Sequence, residues 1–170
     1  MTLTAAVDHL WESVHQLRDD VQALRLHAVE DRPVGEESRL VEDVGTAGET
    51  MAGWSEQVLE AAARVVAAAR SADLPGLRQA LDDATESVER LAAELLEQLS
   101  TTRRLDQLNA LARTGGRELR AWIAAIKHAL DRVHQSVWMV AAAVTTCWRE
   151  LAERAVAGPA VEPAEIPRRS

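Results

Sequence analysis

Glu12-Ser-Val-His15 and Asp131-Arg-Val-His134 carry the acid-x-x-His spacing, which lets a carboxylate and an imidazole meet one metal from a single helix face. Helical bundles hold metal pairs with such a motif on each of two helices and a lone Glu on each of two others. That chemistry needs the carboxylates to point inward. Here Leu10, Val14 and Leu17 set the inward direction, leaving Glu12 outside and His15 off to one side. Leu130 and Val133 do the same to Asp131 and His134. No inward position of the two intervening apolar runs carries a carboxylate. His128, Asp131 and His134 succeed one another at intervals of three, so two of them reach a single metal only as an adventitious surface site. His9 and His27 have no companions at ligand spacing. Neither a metal nor a cofactor is expected.

Nucleophilic chemistry fares no better. Cys147 is the one cysteine, so there is no internal disulfide and no sign of an oxidising compartment. It falls on an apolar face, and the nearest histidine in sequence, His134, is more than three helical turns away. An activated thiol needs a base and access. Gly45-Thr46-Ala47-Gly48 lacks the Lys and following hydroxyl of a phosphate loop and follows no strand. Arg103-Arg104 and Arg168-Arg169 are too small for a nucleic-acid footprint, and a formal charge of -8 repels phosphates overall. The expectation is a protein that is not an enzyme.

The elements that carry these residues are helices. Ala, Leu and Val dominate, and Phe and Tyr are absent, a composition that favours helix over strand. Apolar residues recur at alternating intervals of four and three, the pattern of helices packed along a seam. The four runs are Leu3 to Ala28, Leu40 to Ala68, Leu77 to Leu105 and Leu119 to Leu151. The third softens at Gln98 and Thr102. Asp31, Pro33 and Gly35 interrupt after the first run. Ser71 or Asp73 caps the third, with Pro75 in its first turn, and Gly115-Gly116 ends it. Short connections then predict an antiparallel up-down-up-down four-helix bundle with long helices and coiled-coil-like heptad packing over 1–157. Residues 158–170, with three prolines, read as a disordered tail. Trp54 reads as a core filler, and Gly45, Gly48 and Gly53 as a loosely formed first turn or a place of close approach by a partner or ligand.

One stretch has an apolar surplus. VHQSVWMVAAAVTTCW, from Val133 to Trp148, holds no Asp, Glu, Lys or Arg. Val133, Val137, Val140, Val144 and Cys147 point into the seam, whereas Trp138, Ala142 and Thr145 point the other way with Met139 beside them. A surface helix normally turns charge outward. Tryptophan and methionine are enriched at the buried centres of interfaces. The expected contact residues are therefore Trp138, Met139, Ala142 and Thr145, with Trp148 at the edge. The simplest use is a homodimer through the fourth helix, or a helical partner protein.

The resulting expectation is an acidic, cytoplasmic scaffold, adaptor or regulatory accessory, with no membrane span and no nucleic-acid partner. A first alternative is a small-molecule or cofactor-binding sensor whose bundle encloses an apolar pocket walled by Trp11, Trp122 and Trp148. A second is a secreted helical effector. Gly53-Trp54 inside a helical run resembles the Trp-x-Gly turn of the small hairpin substrates of specialised Gram-positive secretion, with the order reversed and no Tyr for a Tyr-based export signal.

Overall fold

The computed structural model describes the backbone of residues 1–33 and 38–165 and the side chains as far as Ala155. All of its regular structure among the described residues is helical: α1 (Leu3–Arg25), a π-helical turn (Leu26–Glu30), α2 (Arg39–Arg70), α3 (Leu74–Gln98), α4 (Thr102–Thr114) and α5 (Arg117–Glu165). There are five α-helices where the sequence suggested four, because the third apolar run is split. The split falls at Leu99–Thr101, where Ser100, Thr101 and Thr102 offer hydroxyls that compete with helical hydrogen bonding. Thr101 takes up that role, its hydroxyl accepting from the Arg104 amide at 3.0 Å as the N-cap of α4. The Arg104 guanidinium in turn donates to the Gln98 carbonyl at 3.0 Å, satisfying one acceptor left open at the end of α3.

The last helix also outruns its expected boundary. Its backbone continues to Glu165, beyond Gly158 and into the segment set apart as a tail, while residues 166–170 lie outside the described residues. Gly35, one of the expected breakers, lies outside them too.

Helix starts are written in side-chain oxygens. Thr2 accepts from the Ala5 amide, Ser38 from Leu40 and Asp73 from Gly76, each satisfying a donor that the first turn leaves open. Between α2 and α3 there are three residues. The Asp73 amide donates to the Ala68 carbonyl and the Ala72 amide to Ala69, the paired bonds of a Schellman ending. Ala72 sits at φ 55°, the left-handed position that usually takes glycine.

The long helices close into a ring: α1 packs on α2 and α5, α2 on α3, and α3 on α5, with α4 lying on α5. Cross-contacts run in opposite directions along each pair. Arg25 meets Glu49 while Ala28 lies against Gly45. Trp54 sits under Arg90 and Arg64 near Asp83. Thr85 meets Trp148 while Ser100 meets His134. Most seam residues join one continuous core, and every one from Leu119 to Leu151 in α5 is buried; past Leu95 the third run gives way, with Leu99 and Leu108 buried in place of Gln98 and Leu105. Trp54 corrects its expectation. It is half-buried, with the Arg90 guanidinium 5.4 Å above its ring, and Ser55 is the buried residue instead. The repeat itself is unbroken, since Met51, Val58, Ala61 and Val65 are buried on either side; at this level the indole lies at the edge of the core, under Arg90 of α3.

The glycines of α2 have distinct roles. A Cβ on Gly48 would lie 3.0 Å from the Ala28 Cβ and 3.5 Å from the Arg25 Cα, and one on Gly45 would lie 3.3 Å from the Ala28 carbonyl oxygen. The close approach is therefore made by the chain's own π-helical turn. Gly53 has nothing near it. Gly53→Ala should accordingly raise stability by about 0.5–1 kcal/mol, the usual helix-interior cost of glycine. Gly48→Val should lower it by about 1–3 kcal/mol by forcing α1 and α2 apart. Urea denaturation of the two variants checks the contrast in sign.

Candidate functional site

The site is built from α5, whose rotation is set by hydrogen bonds on two flanks. On the α1 flank, Asp20 is buried and meets three donors. The Ser136 hydroxyl donates to Oδ2, the Arg132 Nε to Oδ1 at 3.3 Å and the Gln16 amide to Oδ1 at 3.1 Å. Desolvating a carboxylate costs several kcal/mol unless donors replace water, so this position tolerates one rotational setting of α5. One end of the same flank is pinned by the Trp122 indole, which donates to the His27 carbonyl at 2.7 Å. On the opposite flank His134 Nε2 lies 2.6 Å from the Ser100 hydroxyl, Trp148 Nε1 donates to Thr85 Oγ1 at 3.1 Å, and Lys127 Nζ donates to Asn109 Oδ1 at 2.7 Å. Residues 122, 129, 136 and 143 thus face α1, and 127, 134, 141 and 148 face α3 and α4.

What remains outward is the uncharged face. Trp138 is 78% exposed and Met139 49% exposed, and Ala142 and Thr145 are exposed beside them. Polar capacity on this face is spent within the helix. The Thr145 hydroxyl donates to the Ala141 carbonyl and the Thr146 hydroxyl to Ala142, each at 3.0 Å, so the helix backbone takes both hydroxyl protons. Four of the five expected contact residues, Trp138, Met139, Ala142 and Thr145, share this face. Trp148 does not join them; it is half-buried and bonded to Thr85 of α3.

The residues weighed for chemistry are dispersed. His128 and Asp131 are exposed, whereas His134 is half-buried on Ser100. Glu12 is exposed, and the His15 ring stands edge-on to Trp11 at 4.4 Å between centroids. Among the described residues no group of three or more His, Cys, Asp or Glu is placed to hold a metal. Cys147 is buried, and burial, aided by Glu150, pushes its thiol up to about 11. The tryptophans thought able to wall a cavity lie apart. A cleft of about 420 Å3 beside Trp122 is lined also by His27, Arg32 and Glu118, and by no second tryptophan. A cleft of about 610 Å3 at the α3–α4 break mixes Arg39, Arg103 and Arg104 with Asp43 and Glu97. Its central Arg104 is already engaged by Gln98, Gln107 and Asp43. No helix among the described residues is long and apolar enough to cross a membrane.

Comparison with protein-family models, curated proteins and solved structures returns no match. The residue that sequence reading missed is Asp20. Its signal was faint: Ser13 and Asp20 stand seven apart in α1, as do Ala129, Ser136 and Ala143 in α5, which marks two helix faces made for close approach around a polar pair.

Two outcomes follow from this geometry. Asp20→Ala should destabilise the fold by about 1–3 kcal/mol, and a double-mutant cycle with Ser136→Ala in urea should show the two losses to be strongly non-additive. The Cys147 thiol should resist a chromogenic disulfide reagent at pH 8 in the native protein and react at once in denaturant. Because its folded pKa lies above the unfolded value of about 8.5, its contribution is intact below that value and declines as pH rises towards 11.

Proposed function

We propose that the chain is a non-enzymatic helical scaffold that associates with a second copy of itself through the outer face of α5. Its α3 and α4 act as one interrupted arm of an up-down-up-down bundle with coiled-coil-like seams. Adaptor or regulatory work in the cytoplasm is part of the same reading. The observation that carries it is Trp138, 78% exposed at the centre of a face without charge. Covering about 150 Å2 of that indole contributes about 3–4 kcal/mol at roughly 25 cal/mol per Å2. Monomeric proteins scatter single apolar residues over their surfaces. Trp138 and Met139 instead adjoin Ala142 and Thr145, whose hydroxyl is held by the backbone, and apolar residues gathered in this way mark association sites.

Light scattering during size exclusion, across a range of concentrations, tests the reading. The expected result is an assembly of twice the 18.6 kDa chain mass, and Trp138→Glu should weaken it by at least about thirtyfold, as loss of a central aromatic anchor does. Helix content should be unchanged, since Trp138 contributes little to the core. A chain that stays monomeric throughout overturns self-association, and a mass excess from another co-purified protein replaces it with a heterologous partner.

A further inference from the structure

The outward positions of α5 form a second seam of their own. Ala124, His128, Asp131, Gln135, Trp138, Ala142, Thr145, Arg149 and Ala152 are all exposed, and their intervals alternate between four and three. The spacing defines one face along the helix, and the side chains on it, Trp138 and Ala142 at its middle with Asp131 and Arg149 to either side, decide what can pack there. It spans about 42 Å at 1.5 Å per residue. Among the described residues no other helix lies on it, since α1 takes one flank and α3 with α4 the other.

The seam is self-complementary when reversed. Let a second copy of α5 lie antiparallel, with the two-fold axis passing at the level of Val140. Each outward residue then meets the one equally far beyond Val140. Trp138 meets Ala142, so the largest side chain on the face falls on one of the smallest. Gln135 meets Thr145. Asp131 meets Arg149, and the symmetry makes that ion pair twice. Neither Asp131 nor Arg149 has an ion-pair partner within the chain among the described residues. His128 meets Ala152. Met139, on the flank of the seam, lies close to its own counterpart at the axis.

Sliding the second helix by seven residues keeps the seam but loses the match. In one direction Trp138 falls on Gln135 and Asp131 on Ala142. In the other, Trp138 falls on Arg149 and Gln135 on Ala152. Neither brings opposite charges together. A parallel pairing would set Asp131 on Asp131 and Trp138 on Trp138, placing like charges and like bulk in contact.

Resting on the self-association proposed above, we infer that the occupant of this face is a second α5, antiparallel and centred on Val140, with reciprocal Asp131–Arg149 pairs on either side of the two Trp138–Ala142 contacts. The footprint of one helix, about 42 Å by about 10 Å, gives about 400 Å2 per copy. A standard interface takes about 800 Å2 per partner, so the dimer is concentration-dependent and dissociates on dilution.

Paired cysteines read the register directly in the full chain, because native Cys147 is buried and its raised thiol leaves it silent. Gln135→Cys and Thr145→Cys proteins, mixed and treated with a short bis-maleimide, should give a covalent heterodimer, whereas each alone should give little product. Asp131→Arg and Arg149→Asp should each weaken the dimer at least tenfold by light scattering. Their combination in one chain should restore it to within about threefold. Self-cross-linking of Gln135→Cys alone overturns the antiparallel arrangement. A dimer that Trp138→Glu disrupts, but that gives no mixed cross-link and ignores both charge reversals, overturns this register while leaving association through α5 standing. A wild-type chain that never dimerises removes both.

Discussion

A carboxylate held away from water between two helices must be met by donors, and Asp20 is met by Ser136, Arg132 and Gln16 at once. The apolar seam sets which face of α5 turns inward, to within the width of its stripe. The buried charge narrows that setting, since a small turn of α5 would leave it without replacement for its hydration. Arg132 keeps much of its surface in water, so its part is screened, and the Ser136 hydroxyl at the dry end sets the fit. Every buried side-chain polar atom among the described residues finds a partner, so the clamp is complete. The direction in which Trp138 points follows from it.

The opposite end of the α1–α5 contact is organised by backbone. The π-helical turn at Leu26–Glu30 shifts the carbonyl pattern, and the His27 carbonyl is taken by the Trp122 indole. Extra residues in such a turn need room. Gly45 and Gly48 supply it by letting α2 approach Ala28. Two glycines that weaken α2 as an isolated helix thus serve its packing, and Gly53, one turn on, serves no contact of this kind. The same stretch of sequence holds both cases, separated only by what lies opposite.

Trp122 and Ser136, fourteen residues apart on one flank, and Lys127, His134 and Trp148, seven and fourteen apart on the other, leave the helix one remaining face with the same repeat. In α5 that face carries His128 and Asp131 towards one end and Arg149 towards the other, and is uncharged between Asp131 and Arg149. The back-bonded Thr145 and Thr146 hydroxyls extend its apolar character beyond what their residue types suggest. Half-burial of Trp148 follows from the same geometry: it lies seven residues beyond Ala141 and fourteen beyond His134, on the α3 flank, and its indole N–H has Thr85 to bond.

By itself the sequence determined that this chain is helical, where three of its connections fall, and which residues fill the core, because the interval between apolar residues reports a helix face directly. It also determined that the middle of α5 has an uncharged outward face, since a gap in charge over several turns is visible without coordinates. Tertiary structure decided the rest. The break between α3 and α4 depends on Arg104 reaching back to Gln98, and the half-buried place of Trp54 on Arg90 of α3 standing over its ring. The value of Gly48 depends on Ala28, and the fate of Trp148 on Thr85. Each is a meeting of residues remote in the chain, and periodicity along one helix carries no information about which partner stands across from it.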